Sequence, residues 1–231
     1  LLNIEFIVAI IFMAGLTLWS TFINAPLEDP ANAAVTPNPS KAPWYFLGLQ
    51  EMLVYFDPWI AGVVMPTIII IGLIAIPYID VNPKGNGYYS WKDRKFAVSV
   101  FMFGWILWII LIIEGTFLRG PGWNFFIPGQ YWDVHKVVPL VNINFSELLN
   151  IDPTTFWIAR ETPALILLGI YFCIIPLIVA KIYKKFYEDL GLIRYTVTIM
   201  LVLLLMSLPI KMILRMTLNL KYILVTPWFN I

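Results

Sequence analysis

The sequence predicts an all-α fold, a polytopic membrane helix bundle of about five transmembrane helices with a short interfacial helix in its first outer loop. Hydrophobic residues make up 60% of the 231 residues and charged residues only 13%, and the mean hydropathy is +0.82. Soluble domains average about 45–50% apolar and about 25% charged residues. So much apolar sequence excludes a disordered chain. The length allows roughly five spans of ~20 residues with connecting loops.

Residue counts exclude several further classes of protein. One cysteine, Cys173, cannot form a disulfide scaffold, and within an apolar run it is typical of a small packing residue. A net charge of +1 without a basic stripe argues against a nucleic-acid partner. The one histidine, His135, cannot supply both axial ligands of a b-type haem and is well short of a metal-site signature. No C-x-x-C-H, G-x-G-x-x-G or phosphate-loop motif occurs, so we expect no metal site and no complete cofactor site in this chain.

Five apolar runs are long enough to cross a bilayer. They are Leu1–Asn24, Trp59–Ile79, Phe96–Leu118, Pro163–Ala180 and Tyr195–Leu214. The first run carries Glu5 near its start and has no basic region, so a cleaved signal peptide fits it poorly. Pro66 lies within the second run, where a membrane helix can tolerate it.

The charges between these runs predict the topology. Basic residues cluster after the second and fourth runs, at Lys84, Lys92, Arg94, Lys95, Lys181, Lys184, Lys185 and Arg194. The positive-inside rule makes these loops cytoplasmic, where they can bind anionic lipid headgroups, and places loops 25–58 and 119–162 outside. The basic tail opposes this arrangement with Lys211, Arg215 and Lys221, so the side of the C-terminus stays open. We expect a multi-pass protein of a bacterial cytoplasmic (inner) membrane.

The first outer loop has two distinct parts. Prolines at positions 26, 30, 37, 39 and 43 exclude a helix and favour an extended path. Residues 44–56 are then predicted as a short apolar helix that contains Gln50 and Glu51. This helix is too short to span and is expected along the interface or packed on the spans. Asp57, before Pro58, is expected to cap the next span.

One motif in this loop indicates a family. Residues 29–46 have the sequence D-P-A-N-A-A-V-T-P-N-P-S-K-A-P-W-Y-F. This resembles the C-terminal half of cytochrome b, or subunit IV, of cytochrome bc-type quinol oxidoreductase complexes, where P-A-N/D, T-P and P-E-W-Y-F follow an apolar helix with the same spacing. The matching positions are Pro30, Ala31, Asn32, Thr36, Pro37, Trp44, Tyr45 and Phe46, followed by Pro77–Asp80 and Asn82 with Pro83.

The resemblance implies a function and partners. The family's P-E-W-Y segment lines a quinol pocket on the electropositive side, its Glu accepts a proton, and an iron–sulfur protein takes the first electron. The chain is therefore expected to be an electron-transfer subunit of a membrane quinol:electron-acceptor oxidoreductase in a respiratory chain, and to form part of a quinone pocket. The implied partner is a haem-bearing N-terminal cytochrome b subunit that holds the b-type haems. An iron–sulfur protein, a c-type cytochrome or both are implied on the outer side, with membrane lipids around the complex.

The resemblance also divides the chain into three parts. Residues 1–118 are expected to form a cytochrome b C-terminal-like domain with three spans and the helix 44–56. Residues 119–162 form an outer loop rich in Trp and Tyr, which suits a membrane–water boundary. Residues 163–231 add two further spans and a tail, and they show no recognised family feature.

The chain departs from the family at the proton-accepting position. The family's Pro falls on Ala42 and its Glu on Pro43, which has no titratable proton. Pro43, Trp44 and Tyr45 remain candidate quinone-binding residues, and the Tyr45 hydroxyl can donate to a quinone oxygen. Three interpretations stay open: quinol oxidation with another carboxylate, quinone binding without the family's chemistry, or a vestigial pocket in a subunit that holds a haem protein.

Three carboxylates are candidates for the proton chemistry. Glu51, two turns along the short helix, is the first candidate proton acceptor, and a solvated face beside Gln50 is its alternative. Glu114 is the weaker candidate: it marks a proton route if it lies deep in the membrane, or it lies near Arg119 at the boundary. Glu5 loosely matches an acidic residue of the family's second, quinone-reducing pocket.

Two other functions remain as alternatives. A non-catalytic membrane scaffold or anchor would dock external redox proteins on the aromatic outer loops, and Pro43 favours it. A transporter would need charges at mid-depth and broken helices in paired positions. The sequence offers one ambiguous carboxylate and no convincing internal repeat, which disfavours a transporter.

Overall fold

The computed structural model describes residues 2–23, 30–34, 36–82, 90–131, 139 and 141–231. Within them, 5 helices are long and apolar enough to cross a membrane. These spans, numbered in chain order, are Leu2–Phe22, Ile60–Ile79, Lys95–Leu118, Trp157–Ile182 and Lys184–Leu218. The shorter elements are helices Trp44–Tyr55 and Phe145–Leu148, the 3₁₀ turn Pro121–Trp123, and strands Ile143–Asn144 and Leu220–Tyr222. The prediction of an all-α, multi-pass membrane bundle is confirmed.

The chain forms two units, Leu1–Ser40 and Lys41–Ile231. The first unit contains the first span and the proline-rich segment after it. The described part of that segment contains no helix, as its prolines predict, and the Asn38–Pro39 peptide bond is cis. The Asn32 side chain accepts a hydrogen bond from the backbone N–H of Ala34 at 3.0 Å, which fixes a local turn.

In the second unit, helix Trp44–Tyr55, hereafter the connecting helix, packs against the third span. Leu47, Glu51 and Tyr55 follow at intervals of one turn, so they share one face, and all three are buried. The core beside this face is formed by Met52 of the connecting helix, by Phe56 directly after it, and by residues of the second, third and fifth spans: Ala61, Leu107, Leu111, Leu208 and Met212. Of the two predicted positions for this helix, the structure has it packed on the spans.

The fourth and fifth spans pack along a second core, formed by Leu190, Tyr195, Ile199 and Leu203. Two tyrosine hydroxyls in this core are satisfied by backbone carbonyls of the neighbouring span, as a membrane favours. The Tyr195 hydroxyl donates to the Pro176 carbonyl at 2.6 Å, and the Tyr171 hydroxyl donates to the Leu203 carbonyl at 2.7 Å. These bonds fix the register of the two spans.

The chain after the fifth span returns to the start of the fourth. Strand Leu220–Tyr222 pairs in parallel with strand Ile143–Asn144. Leu220, Ile223 and Leu224 bury their side chains with Ala164. The tail is therefore a packed part of the second unit.

Three turns within the spans are widened to π-helix: Ile60–Val64, Glu114–Leu118 and Ile170–Ile174. Two of them lie directly before a proline in the first turn of the following α-helix, Pro66 and Pro176. Proline lacks an N–H, and its ring clashes with the carbonyl one turn earlier, so an extra residue in that turn relieves the conflict. The third widened turn ends the third span and contains Glu114.

The fifth span is longer than the predicted run 195–214. The helical stretch Lys184–Leu218 is interrupted at Gly191 (φ 71°, ψ 170°), so a short separate helical segment, which hydropathy assigned to a polar connection, precedes the span. At the other end, Lys211 and Arg215 donate to backbone carbonyls rather than to water. Asn219, with a φ of 54°, then ends the helix in a left-handed conformation.

Gly115→Ala is expected to destabilise the second unit by about 1–3 kcal/mol, because it overpacks the contact between the connecting helix and the third span. A Cβ atom at Gly115 would lie 2.8 Å from Leu47 Cγ. The matched control is Gly104→Ala in the same span, where the nearest atom belongs to Leu205 and lies at 3.6 Å. Thermal unfolding of the purified protein in detergent, followed by circular dichroism, should show a lower Tm for Gly115→Ala alone. Equal Tm values for the two variants would contradict the close approach.

Candidate functional site

Glu51 is fully buried, with 0% of its surface exposed, and it is ion-paired. Arg119 Nε donates to Glu51 Oε1 at 3.0 Å and to Oε2 at 3.1 Å, and Arg119 Nη2 also donates to Oε1. Trp123 Nε1 donates to Oε2 at 3.0 Å. A buried charge is tolerated only when it is paired and hydrogen-bonded. Both carboxylate oxygens of Glu51 are therefore hydrogen-bonded, and its partner is a cation.

Tyr55 joins Glu51 to Glu114. The Tyr55 hydroxyl oxygen lies 3.1 Å from Glu51 Oε1 and 3.0 Å from Glu114 Oε2. A tyrosine hydroxyl has one proton, so it can donate to only one of these carboxyls. Since Glu51 already accepts from Arg119 and Trp123, every group is satisfied when Tyr55 donates to Glu51 and a protonated Glu114 donates to Tyr55. The cluster therefore has a place for one proton, on Glu114.

Local structure explains how these side chains meet. Glu51 and Tyr55 are four residues apart on the connecting helix, so both face the third span. Glu114 is in the π-helical turn that ends that span, and Arg119 follows the turn directly. The 3₁₀ turn Pro121–Trp123 then reverses the chain, which brings the Trp123 indole back to Glu51. We refer to these five residues (Glu51, Tyr55, Glu114, Arg119 and Trp123) as the carboxyl cluster.

The electrostatics of the carboxyl cluster keep two of its members in fixed protonation states. Burial raises the pKa of Tyr55, and the charges of Glu51 and Glu114 raise it further, so its hydroxyl stays protonated. Burial alone would lower the pKa of Arg119, but the hydrogen bonds and charge of Glu51 outweigh burial and the pKa is raised. The hydrogen-bond pattern then leaves Glu114 as the group that can gain or lose a proton.

The predicted quinone-binding residues lie at the start of the connecting helix and are exposed. Pro43 directly precedes the helix, Trp44 is 69% exposed and Tyr45 is 52% exposed. The rings of Trp44 and Tyr45 meet edge to face, with centroids 5.8 Å apart. They form an aromatic edge on the surface of this chain. Their role in quinone binding stays a prediction.

The segment before this edge is tied to the rest of the second unit. Lys41 Nζ donates to the Thr116 carbonyl at 2.7 Å, within the turn that contains Glu114. Burial lowers the pKa of Lys41. The backbone N–H of Ala42 donates to Gln50 Oε1 at 2.7 Å. The start of the connecting helix is thus held in place beside the end of the third span.

The remaining predicted positions have varied outcomes. Glu5 lies exposed in the first turn of the first span, and its role stays a prediction. His135 lies outside the described residues. Cys173 is exposed on the fourth span, so its prediction as a residue packed within this chain is wrong.

Asp57 Oδ1 accepts a hydrogen bond from the Trp59 N–H at 3.0 Å, which confirms the predicted cap. Among the described residues, no group of His, Cys, Asp and Glu could hold a metal ion.

Sequence reasoning did not find how the carboxyl cluster is joined. It placed Glu114 near Arg119, but it assigned no role to Tyr55 or Trp123. The sequence signal that could have indicated this contact is a glycine on each of the two helices, Gly48 on the connecting helix and Gly115 at the end of the third span. A Cβ at Gly48 would lie 3.1 Å from the Trp108 ring, and Gly115 is closer still to its neighbour. Glycines on both helices allow the approach that brings the cluster together.

Residues 30–120 match the family model described as Cytochrome b(C-terminal)/b6/petD. This stretch resembles the C-terminal half of cytochrome b. The cytochrome b-like stretch contains the connecting helix and all of the carboxyl cluster except Trp123, while the first, fourth and fifth spans lie outside it. No solved structure matches the chain. The match indicates an electron-transport subunit of a membrane quinol oxidoreductase complex, and the family implies association with a cytochrome b partner.

Proposed function

We propose that this chain is the haem-free, cytochrome b C-terminal-like subunit of a quinol oxidoreductase complex, and that it forms one wall of a quinol pocket beside a haem-bearing cytochrome b subunit. The observation that carries the proposal is the exposed aromatic edge, Trp44 and Tyr45, at the position of the family's quinol-pocket motif. Exposed aromatic surface of this kind marks a binding or docking site. The b-type haems belong to the partner, because this chain has a single histidine. An iron–sulfur protein or a c-type cytochrome on the outer side takes electrons from the complex.

Oxidation of a quinol releases protons, so the pocket needs a base, which Pro43 cannot supply. We assign this role to the carboxyl cluster. With Glu51 and Glu114 both ionised and Arg119 charged, the buried cluster carries one net negative charge. Uptake of one proton makes it neutral and completes its hydrogen bonds, and burial favours the neutral state.

Each member of the carboxyl cluster has a separate task in this mechanism. Glu114 takes the proton. The Tyr55 hydroxyl accepts a hydrogen bond from the protonated Glu114 and donates one to Glu51. Glu51, paired with Arg119, is in this proposal a positioning residue that supports the acceptor, in place of its expected role as the acceptor itself.

The aromatic edge and the carboxyl cluster lie at different heights on the connecting helix. Trp44 and Glu51 are separated by about 10 Å along the helix axis, from a rise of ~1.5 Å per residue. The Lys41 ammonium and the Thr116 carbonyl, 2.7 Å apart, provide polar groups near the start of this helix. A proton released at the edge therefore reaches Glu114 by way of polar groups and water on this side of the helix.

Replacement of Trp44 and Tyr45 together by alanine is expected to lower quinol-dependent reduction of the partner's haem by about 10-fold or more, because contact of two aromatic rings with the quinol is lost. The native complex should first be purified and should show a b-type haem spectrum. Trp91→Ala, which removes a tryptophan that is 57% exposed in another loop, is the matched control.

Absence of any co-purifying b-type cytochrome would contradict the proposal as a whole. Full activity of the double variant would contradict the pocket wall and favour the second candidate function, a non-catalytic scaffold. The observation that favours a scaffold is the tight enclosure of Glu51 by Arg119 and Trp123, because an ion pair of this kind can serve packing alone.

A further inference from the structure

Three cations converge at the end of the fifth span without a carboxylate partner. Lys211 and Arg215 are only 2% and 7% exposed, and Lys211 Nζ donates to the Lys221 carbonyl at 2.5 Å. Within the described part of the chain, the ion pairs involve other residues and none of these three. Buried lysines and arginines are normally paired with an anion. Their mutual repulsion therefore calls for a negative group at this place.

A cavity of about 340 Å³ opens beside these cations. Its lining consists of Arg215, Lys221, Asn142 and Trp123 with Gln50, Leu53 and Val54 of the connecting helix. The cavity thus combines two cations with apolar side chains. Its volume lies within the range of small-molecule sites, about 300–1,000 Å³.

Both cations that line the cavity have donors left for a ligand. Among the described residues, Arg215 donates three of its five N–H groups, to the carbonyls of Val141 at 3.0 Å and Asn219 at 2.9 Å and to Asn142 Oδ1 at 2.7 Å. The Lys221 ammonium lies 5.2 Å from the centre of the Tyr222 ring, and it donates no hydrogen bond to a described residue. The bonds of Arg215 fix its guanidinium in place, so its free donors are preorganised.

We propose that this cavity binds a phosphate group, held by Arg215 and Lys221 beneath the positive charge of Lys211. A fixed guanidinium next to an ammonium suits the oxygens of a phosphate. Leu53 and Val54 provide an apolar wall that suits the glycerol and first acyl carbons of a phospholipid, and Arg215 lies in the last turn of a membrane span. The phosphate-binding side chains Arg215 and Lys221, and Asn142 beside them, lie beyond residue 120 and so outside the cytochrome b-like stretch, which contributes only the connecting-helix part of the lining.

The test uses the intact complex in detergent, with lipid removed, and follows thermal unfolding and binding by native mass spectrometry. The probes are phosphatidylglycerol, diacylglycerol as its phosphate-free counterpart, and inorganic phosphate. We expect phosphatidylglycerol to bind and to raise the Tm, and diacylglycerol to have no effect. If inorganic phosphate raises the Tm as much as phosphatidylglycerol does, the site binds phosphate and the natural ligand is a free anion. If inorganic phosphate has no effect, the natural ligand is a lipid headgroup.

Lys221→Gln is expected to weaken phosphatidylglycerol binding by about 10-fold or more, since a charge-assisted hydrogen bond is lost. This variant removes no hydrogen bond within the described protein, so folding is not at risk. Arg215→Lys keeps the positive charge but replaces the planar guanidinium by an ammonium, which cannot donate two parallel hydrogen bonds, so it should weaken phosphatidylglycerol binding as well. Lys185→Gln, an exposed lysine near the other end of the same helix, is the matched control and should bind as the unmodified complex does. Equal binding of phosphatidylglycerol and diacylglycerol, or unchanged binding by Lys221→Gln, would overturn the proposal.

Discussion

Glu114→Gln is expected to lower quinol-dependent haem reduction by about 10²–10⁴-fold, the usual contribution of a general base. The variant should leave the Tm nearly unchanged. A glutamine has almost the shape of a protonated glutamate, and its amide can donate to the Tyr55 hydroxyl as the protonated Glu114 does. The substitution thus preserves the hydrogen bonds of the carboxyl cluster and removes only its capacity to take up a proton.

The matched control for Glu114→Gln is Glu188→Gln. Glu188 has an exposed side chain and pairs with Lys184 at 3.6 Å on the fifth span, so its replacement should change neither activity nor Tm. Stopped-flow reduction of the haem at saturating quinol measures the rate, and differential scanning calorimetry measures the Tm. A Glu114→Gln complex with full activity would show that the carboxyl cluster takes no proton, and would leave the scaffold as the function of this chain.

Arg119→Gln is expected to destabilise the second unit by about 3–5 kcal/mol, because it leaves the Glu51 charge buried without its partner. Arg119 and Glu51 have side chains that are only 6% and 0% exposed, so water cannot compensate for the loss. The Tm should fall by roughly 10 °C, from about 2–4 °C per kcal/mol for a chain of this size. Arg94→Gln is the control, since it breaks an ion pair with Asp80 in which the two side chains are 18% and 22% exposed.

The double variant Glu51→Gln with Arg119→Gln separates structure from chemistry. Removing both charges leaves no unpaired ion, so most of the stability should return. Quinol-dependent haem reduction should stay low, because the ionised Glu51 that orients Tyr55 is gone. Recovery of activity together with stability would mean that the ion pair serves packing alone.

Most of the fold could be predicted from the amino-acid pattern. Hydropathy depends on runs of about 20 residues, and it located every span that the structure contains. The start of the connecting helix could also be predicted, because prolines up to Pro43 forbid a helix and nothing after Trp44 does. The ends of the fifth span could not, since Lys211 and Arg215 are charged and are accommodated only by carbonyls from elsewhere in the chain.

The candidate site was predicted as separate residues and not as a cluster. Glu51 and Glu114 were identified as carboxylates in an apolar region, and Pro43 as the departure from the family's motif. Glu51 and Glu114 are brought together by the Tyr55–Glu114 and Glu51–Arg119 contacts. These contacts join residues that are 59 and 68 positions apart, so no local sequence pattern indicates them. Gly48 and Gly115 permit that approach, but a glycine in a helix has many other causes.

The amino-acid sequence has few charges and much apolar sequence. By itself it determined a membrane protein of about five spans and a cytochrome b-like stretch, because hydropathy and motif spacing are local properties. Only the tertiary structure decided where the scarce charges go. A charge in an apolar interior is stable only when it is paired or hydrogen-bonded, and the partners come from other parts of the chain. Glu51 pairs with Arg119, and Lys211 and Arg215 donate to backbone carbonyls beside a basic cavity.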